Sequence, residues 1–189
     1  KNLIKNCELI LNRDQLNSEI INLVKDNKII GYFNGRMEFG ARALGNRSII
    51  ANPCDINIKE IINKKIKRRE NFRPFAPAIL YEEKKKWFNN INSNPYMSTV
   101  ESIMEEKRKF IPAVTHVDGT GRVQTVSKSI NENFYNLINT FYKFSGVPIL
   151  LNTSFNENEP IVNKPSEAIE CFLRTEMDAL VIENYLIKR

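Results

Sequence analysis

Two hydrophobic patterns take turns along the chain: apolar residues at helical spacing, and short continuous apolar runs. Leu16, Ile20, Leu23 and Val24 predict a helix over 15–27, and 29–34 then reads as a short buried strand ending at Gly35. Arg47 to Ala51 is a second strand, stopped by Pro53. From Asp55, read as an N-cap, Ile58, Ile61, Ile62 and Ile66 share a helical face and leave lysines on the other. Phe75 to Tyr81 reads as a strand and Glu82 to Asn89 as a short helix. Asn90 to Lys109 is polar, carries Pro95 and keeps no sustained period, so a mobile loop or flap is expected there. Val114–Val117 and Arg122–Val126 flank Asp118-Gly119-Thr120-Gly121, which suits a hairpin. Phe134, Leu137, Ile138 and Phe141 predict a helix over 133–144 with Gly146 as its stop. A strand at 147–151, a helix at 166–174 and a last strand at 179–183 complete an α/β fold with a mixed sheet.

With 189 residues the chain closes one substantial core, so a single domain over 1–189 is expected. No apolar run approaches the ~20 residues needed to cross a bilayer, and Lys1 to Leu11 show no secretory pattern, which predicts a cytoplasmic protein away from membranes. The first residue is Lys1, not Met, which reads as a fragment of something longer. Cys7, Cys54 and Cys171 are too scattered for a disulfide framework or a paired-cysteine metal site, and His116 is the single histidine, so no metal site is expected in this chain. His116 is read as a structural or substrate-contacting residue in preference to a nucleophile's base. The net charge of +6 is local: residues 36–73 hold ten basic and four acidic residues, and the rest of the chain is balanced. Such concentration suits anionic groups bound at one place.

Three segments could do chemistry. In 35–48, glycines alternate with Arg36, Arg42 and Arg47; tight turns and guanidinium forks together suit phosphate oxygens. A basic surface loop with Glu38 neutralising one arginine is the plain alternative. In 67–77, Lys67, Arg69 and Arg73 precede Pro74 and Pro77, which stiffen the segment; cations complementing a helix end, with Lys67 facing solvent, would explain the same residues. The third is the strand 150–151 running into Asn152-Thr153-Ser154-Phe155-Asn156, since polar residues at a strand's carboxyl end are where α/β folds bind ligands, or simply turn.

Taken in order, GRMEFGARALGNRSI at 35–49, INKKIKRRENFRPFAPAIL at 62–80, PAVTHVDGTGRVQTV at 112–126 and GVPILLNTSFNENEPIV at 146–162 closely resemble the carboxy-terminal domain of the NodU/CmcH/TobZ carbamoyltransferases. That domain is YrdC-like, a twisted mixed sheet flanked by helices. The Lys-x-Arg and Ser-x-Asn signature of the YrdC fold is matched by Lys67-x-Arg69 and Ser154-x-Asn156. The chain departs from the family at Ala41, where proline is usual, and at Glu157-Asn158-Glu159, where many members carry a basic residue and glycine.

The resemblance implies the activation half of O-carbamoyl transfer. Carbamoyl phosphate is cleaved to carbamate, which attacks the α-phosphate of ATP to give carbamoyl adenylate and pyrophosphate. Mg²⁺ would accompany the nucleotide. An amino-terminal actin-like domain of the same polypeptide, absent here, would pass the carbamoyl group to a small-molecule or sugar alcohol. By motif position Arg42, Lys67, Arg73 and Arg122 are assigned to phosphate and carbamoyl phosphate, Arg69 and Ser154 to the adenylate phosphates, and Asn156 to the nucleotide; Arg36, Arg47 and Thr115 are second choices. Lys67, Arg69 and Ser154 are the expected catalytic residues. A YrdC-like RNA-binding module is the alternative, but the basic cluster lacks interleaved stacking aromatics, so nucleic acid is not the expected partner.

Overall fold

An eight-stranded sheet forms the centre of the computed structural model, which describes residues 6–89 and 91–189. Its strands are β1 (Asn6–Leu9), β2 (Ile30–Phe33), β3 (Arg47–Ala51), β4 (Ala76–Leu80), β7 (Gln124–Val126), β8 (Ile149–Ser154), β9 (Ala179–Ile182) and β10 (Tyr185–Lys188); β5 (Glu101–Ser102) and β6 (Thr120–Gly121) pair separately. The order is β1-β10-β9-β2-β3-β8-β4-β7. Pairings β2–β9 and β4–β7 are parallel and the others antiparallel, so the expected mixed sheet is found. The helices are α1 (Arg13–Lys25), α2 (Ile58–Ile62), α3 (Glu105–Arg108), α4 (Glu132–Ser145) and α5 (Pro165–Arg174). Helix α4 packs on α1 and covers β4 and β8, while α5 lies against β2 and β9.

The apolar spacing explains this packing. Leu16, Ile20 and Val24 of α1 and Phe134, Leu137, Ile138 and Phe141 of α4 are buried in a core shared with Ile49, Ile50, Leu150 and Leu151 of the sheet. Asn12 and Asn131 cap the two helices by accepting the backbone N–H of Gln15 and Phe134. Gly146 ends α4 in the left-handed region, at φ 72°, where a side chain would be strained.

Four sequence expectations need correction. The 118–121 turn forms, but its flanks do not pair with each other: β6 pairs with β5, and β7 joins β4 in parallel. Asp55 caps no helix; its carboxylate accepts the N–H of Asn57, and α2 starts only at Ile58. The predicted helix 82–89 is a 3-10 turn over Tyr81–Lys86. Strands β1 and β10 went unread because β1 is exposed along its whole length and β10 follows β9 after a turn of two residues. The expected flap is anchored: Ile91, Met97 and Ile103 are buried, and Asn94 exchanges hydrogen bonds with Thr125, Ser98 and Thr99. Asn90, its first residue, lies outside the described residues.

Candidate active site

The polar end of β8 outruns its pairing with β4, whose first partner pair is Ala76 with Asn152. Thr153 and Ser154 therefore reach a space bordered by the chain entering β4 and by the loop between β2 and β3. A cavity of about 380 Å³ opens there, a volume usual for small-ligand sites. Arg42, Arg69, Arg73 and Arg122 line it, from three separate stretches of sequence, with Asn152 and Ser154 from β8. Met97, Val100 and His116 complete one side.

Lys67 is placed by a local distortion. Helix α2 widens into a π-helical turn over Asn63–Lys67, and Arg68 then takes a left-handed conformation at φ 44°. Such π turns frequently mark functional positions, because the extra residue re-aims side chains. The structure corrects the solvent-facing expectation: Lys67 is only 2% exposed. Its Nζ donates to the carbonyl of Ser154 at 2.6 Å, to Asn156 Oδ1 at 2.7 Å and to the carbonyl of Asn156 at 2.8 Å. Ser154 Oγ donates to Asn156 Oδ1 at 2.7 Å. The two halves of the Lys-x-Arg and Ser-x-Asn signature thus meet. Burial, and then the neighbouring Arg69 cation, push the Lys67 amine down to about 7.

Arg69 is held by a residue that sequence reasoning missed. Asn63, fully buried, accepts Arg69 Nε at 2.7 Å and donates to the carbonyl of Arg73 at 3.1 Å. The Arg69 guanidinium lies over the Phe75 ring. Burial, followed by the Arg73 cation, lowers the proton affinity of Arg69. Arg73 is itself exposed and ion-paired with Glu70 at 3.4 Å.

The 35–48 loop divides its arginines. Arg42 lines the cavity, whereas Arg36 is exposed away from it. Arg47 is 4% exposed and turns inward; its Nη1 donates to the carbonyls of Asn34, Gly35 and Asn46, and its guanidinium stacks 3.5 Å from the Phe33 ring centroid. Glu38 forms no close ion pair with an arginine among the described residues, although its charge favours the Arg47 cation. Its Oε1 accepts the backbone N–H of Leu44, Asn46 and Arg47 and so braces the loop from within. Gly45, at φ 105°, is required because a Cβ there would sit 2.2 Å from the Phe134 ring.

Thr115 is not among the residues lining the cavity, and its hydroxyl donates to the carbonyl of Ile111. Asn156 is engaged inside its own turn, and its Nδ2 donates to the carbonyl of Glu159 at 2.6 Å. The departure at 157–159 has a local function: Glu157 pairs with Arg68 and Arg174, and Glu159 also pairs with Arg174, which fastens this turn to α5 and to the left-handed residue after Lys67. His116 has a defined tautomer. The Thr120 hydroxyl donates to Asp118 at 2.6 Å and must accept from His116 Nδ1 at 3.1 Å, leaving Nε2 as an acceptor with no partner among the described residues. Burial and the Lys59 and Arg122 cations lower its proton affinity. Among the described residues no group of three or more His, Cys, Asp or Glu side chains could hold a metal ion, and no carboxylate lines the cavity. No helix among them is long and apolar enough to cross a membrane.

This fold is YrdC-like. Sua5 of P. abyssi, solved with L-threonine, superposes with a TM-score of 0.67 at 15% identity, covering 90% of this chain and 47% of that one. Full-length HypF in a phosphate- and nucleotide-bound form gives 0.59 at 18% identity, covering 89% and 25%. The family model of the carbamoyltransferase C-terminus matches residues 21–189, and the chain belongs to that family. Nodulation protein NolNO of Sinorhizobium fredii is 48% identical over 180 residues, covering 93% of this chain and 26% of that protein. The 3'-hydroxymethylcephem-O-carbamoyltransferase of Amycolatopsis lactamdurans is 37% identical over 152 residues, covering 80% and 29%. The chain spans roughly a quarter to a third of the length of the curated relatives it matches.

Proposed function

We propose that this domain carries out the activation half of an O-carbamoyl transfer, converting carbamoyl phosphate and ATP into carbamoyl adenylate. One observation carries the reading: four arginines from three stretches of sequence line a single cavity with the Ser154 turn, which Lys67 holds from behind. Ligands bringing several negative charges need such convergence, because fixed cations in a partly enclosed site stabilise charge without reorganising. The phosphate- and nucleotide-bound state of HypF and the carbamoyl transfer named for the cephem enzyme agree with this chemistry.

In this scheme Arg42, Arg73 and Arg122 hold the phosphate of carbamoyl phosphate. Water adds to the carbamoyl carbon, the bond to the phosphate oxygen breaks, and carbamate and inorganic phosphate result. A carbamate oxygen then attacks the α-phosphorus of ATP, and pyrophosphate leaves. Arg69 and the Ser154 hydroxyl meet the charge on the α-phosphate, while Lys67 and Asn156 keep the turn in place. Mg²⁺ would enter with the triphosphate, held by phosphate oxygens and water, since the cavity supplies no carboxylate. An amino-terminal actin-like domain of a longer polypeptide is proposed to pass the carbamoyl group to an alcohol.

Calorimetry on the full chain tests the pocket. Carbamoyl phosphate and ATP with Mg²⁺ should each bind, and Arg122→Ala should weaken carbamoyl phosphate by about tenfold or more. A folded chain that binds neither at millimolar concentration overturns the assignment.

A further inference from the structure

The cavity contains an unpaired acceptor whose identity is fixed by a relay. The carbonyl of Leu44 can only accept, so the Gln124 amide presents Nε2 to it, at 2.8 Å. Gln124 Oε1 is thereby turned towards Asn152, whose Nδ2 must donate to it, also at 2.8 Å. The second hydrogen of that Nδ2 goes to the carbonyl of Ala43 at 3.1 Å. Both amide hydrogens of Asn152 are committed, and its Oδ1 has no partner among the described residues, on a side chain that is fully buried and lines the cavity. Buried acceptors are nearly always satisfied, so an orphan in a ligand cavity marks where a donor is to arrive.

The surrounding groups define that donor. Arg42, Arg69, Arg73 and Arg122 only donate, so they call for an anion, whereas Asn152 Oδ1 calls for an N–H. A small ligand with an anion at one end and an N–H at the other meets both demands. Resting on the reading of this cavity as a carbamoyl-phosphate site, we propose that Asn152 is its specificity-determining residue: Oδ1 accepts from the carbamoyl NH2 and so distinguishes carbamoyl phosphate from acyl phosphates of the same shape. A methyl in place of NH2 would leave Oδ1 unpaired and shut off from water, and sites built around a hydrogen bond reject analogues that lack it. Gln124 is then a positioning residue that keeps Oδ1, not Nδ2, towards the ligand. The same relay binds the backbone of residues 43 and 44 and so secures the loop bearing Arg42.

The test uses calorimetry on the full chain with two stable phosphonates, phosphonoacetamide and phosphonoacetone, which differ only in NH2 against CH3. The amide should bind the wild type about 10–100-fold more tightly. In Asn152→Leu that ratio should fall to within about threefold; inorganic phosphate, which has no amide to read, measures how far loss of the contact to Ala43 loosens the loop bearing Arg42, and that loss should weaken both phosphonates alike. Gln124→Leu, which leaves Asn152 present but free to turn, should narrow the ratio partway and supplies a second variant if Asn152→Leu does not fold. Equal binding of the two phosphonates by the wild type overturns the role of Asn152 alone. Failure of both phosphonates and of carbamoyl phosphate to bind a folded chain overturns the site reading beneath it.

Discussion

Two buried cations, Lys67 and Arg47, arise from basic segments that look alike in sequence and do different work. Arg47 donates to three carbonyls, two at the end of β2 and one beside it in its own loop, and rests on Phe33 of the same hairpin. Lys67 reaches across the fold to oxygens of residues 154 and 156, in the turn that borders the cavity. One cation closes a loop upon itself, and the other couples a helix end to the cavity wall. Burial alone therefore does not separate a loop brace from a cation proposed to act at a site; the location of its partners is what sets the two apart.

The largest expected effect uses that contrast. Lys67→Ala should lower carbamoyl-phosphate-dependent exchange of pyrophosphate into ATP by about 10², or about 3 kcal/mol, the cost of misplacing the turn that carries Ser154. Because Lys67 is buried, the variant should also lose roughly 1–3 kcal/mol of stability from the acceptors left unpaired. Arg47→Ala should show the reverse balance. Its three stranded carbonyls should cost about 2–4 kcal/mol in the melt, and exchange per folded molecule should stay within about tenfold of wild type. A Lys67 variant that melts early yet exchanges normally would make both cations structural.

A smaller effect is the pH dependence of the Lys67 amine, which ordinarily titrates near 10.5 and is pushed down to about 7 in the fold. Between those values the unfolded chain binds the proton and the folded chain does not, so stability rises with pH across this window. Below about pH 7 the full cost of burying the ammonium is present; above about 10.5 it is gone. Melts from pH 6 to 9.5 should show wild type gaining on Lys67→Met as pH rises. Parallel curves would mean that the hydrogen-bond cradle keeps the amine's ordinary proton affinity.

Much of this was legible because it depends on periodicity or on composition. The faces of α1 and α4, the central strands and the concentration of cations in 36–73 are local patterns, and local patterns survive folding. The site was legible as a set of residues through four motifs, but its wiring was not. Asn63, Asn152 and Gln124 bear no charge, and their roles come from partners up to 109 residues away in the chain. Nothing local shows that a lysine at a helix end turns inward, since the acceptors that Lys67 meets lie 87 and 89 residues further along the chain. The absent pairing between the flanks of 118–121 has the same origin, because each flank found a better partner in the tertiary structure.

The smallest expected effect tests whether wiring, not charge, accounts for all of this. Lys85 is exposed on the 3-10 turn Tyr81–Lys86, outside every motif and outside the cavity lining. Lys85→Ala removes one formal positive charge from a chain whose formal net charge is +6, and Lys67→Ala removes no more than that, since the Lys67 amine is pushed down to about 7. If the substrates feel the diffuse field of a basic domain, the two variants should lose comparable activity, and the loss should shrink as salt screens the field, which decays over about 10 Å at 0.1 M. If they feel a site, Lys85→Ala should exchange pyrophosphate at the wild-type rate and melt within about 0.5 kcal/mol of wild type at any ionic strength. Measuring both variants at low and at moderate salt decides between the two. A matched, salt-sensitive loss in Lys85→Ala would remove the special standing of Lys67, whereas an unchanged Lys85 variant beside a crippled Lys67 variant ties the effect to the contacts with Ser154 and Asn156.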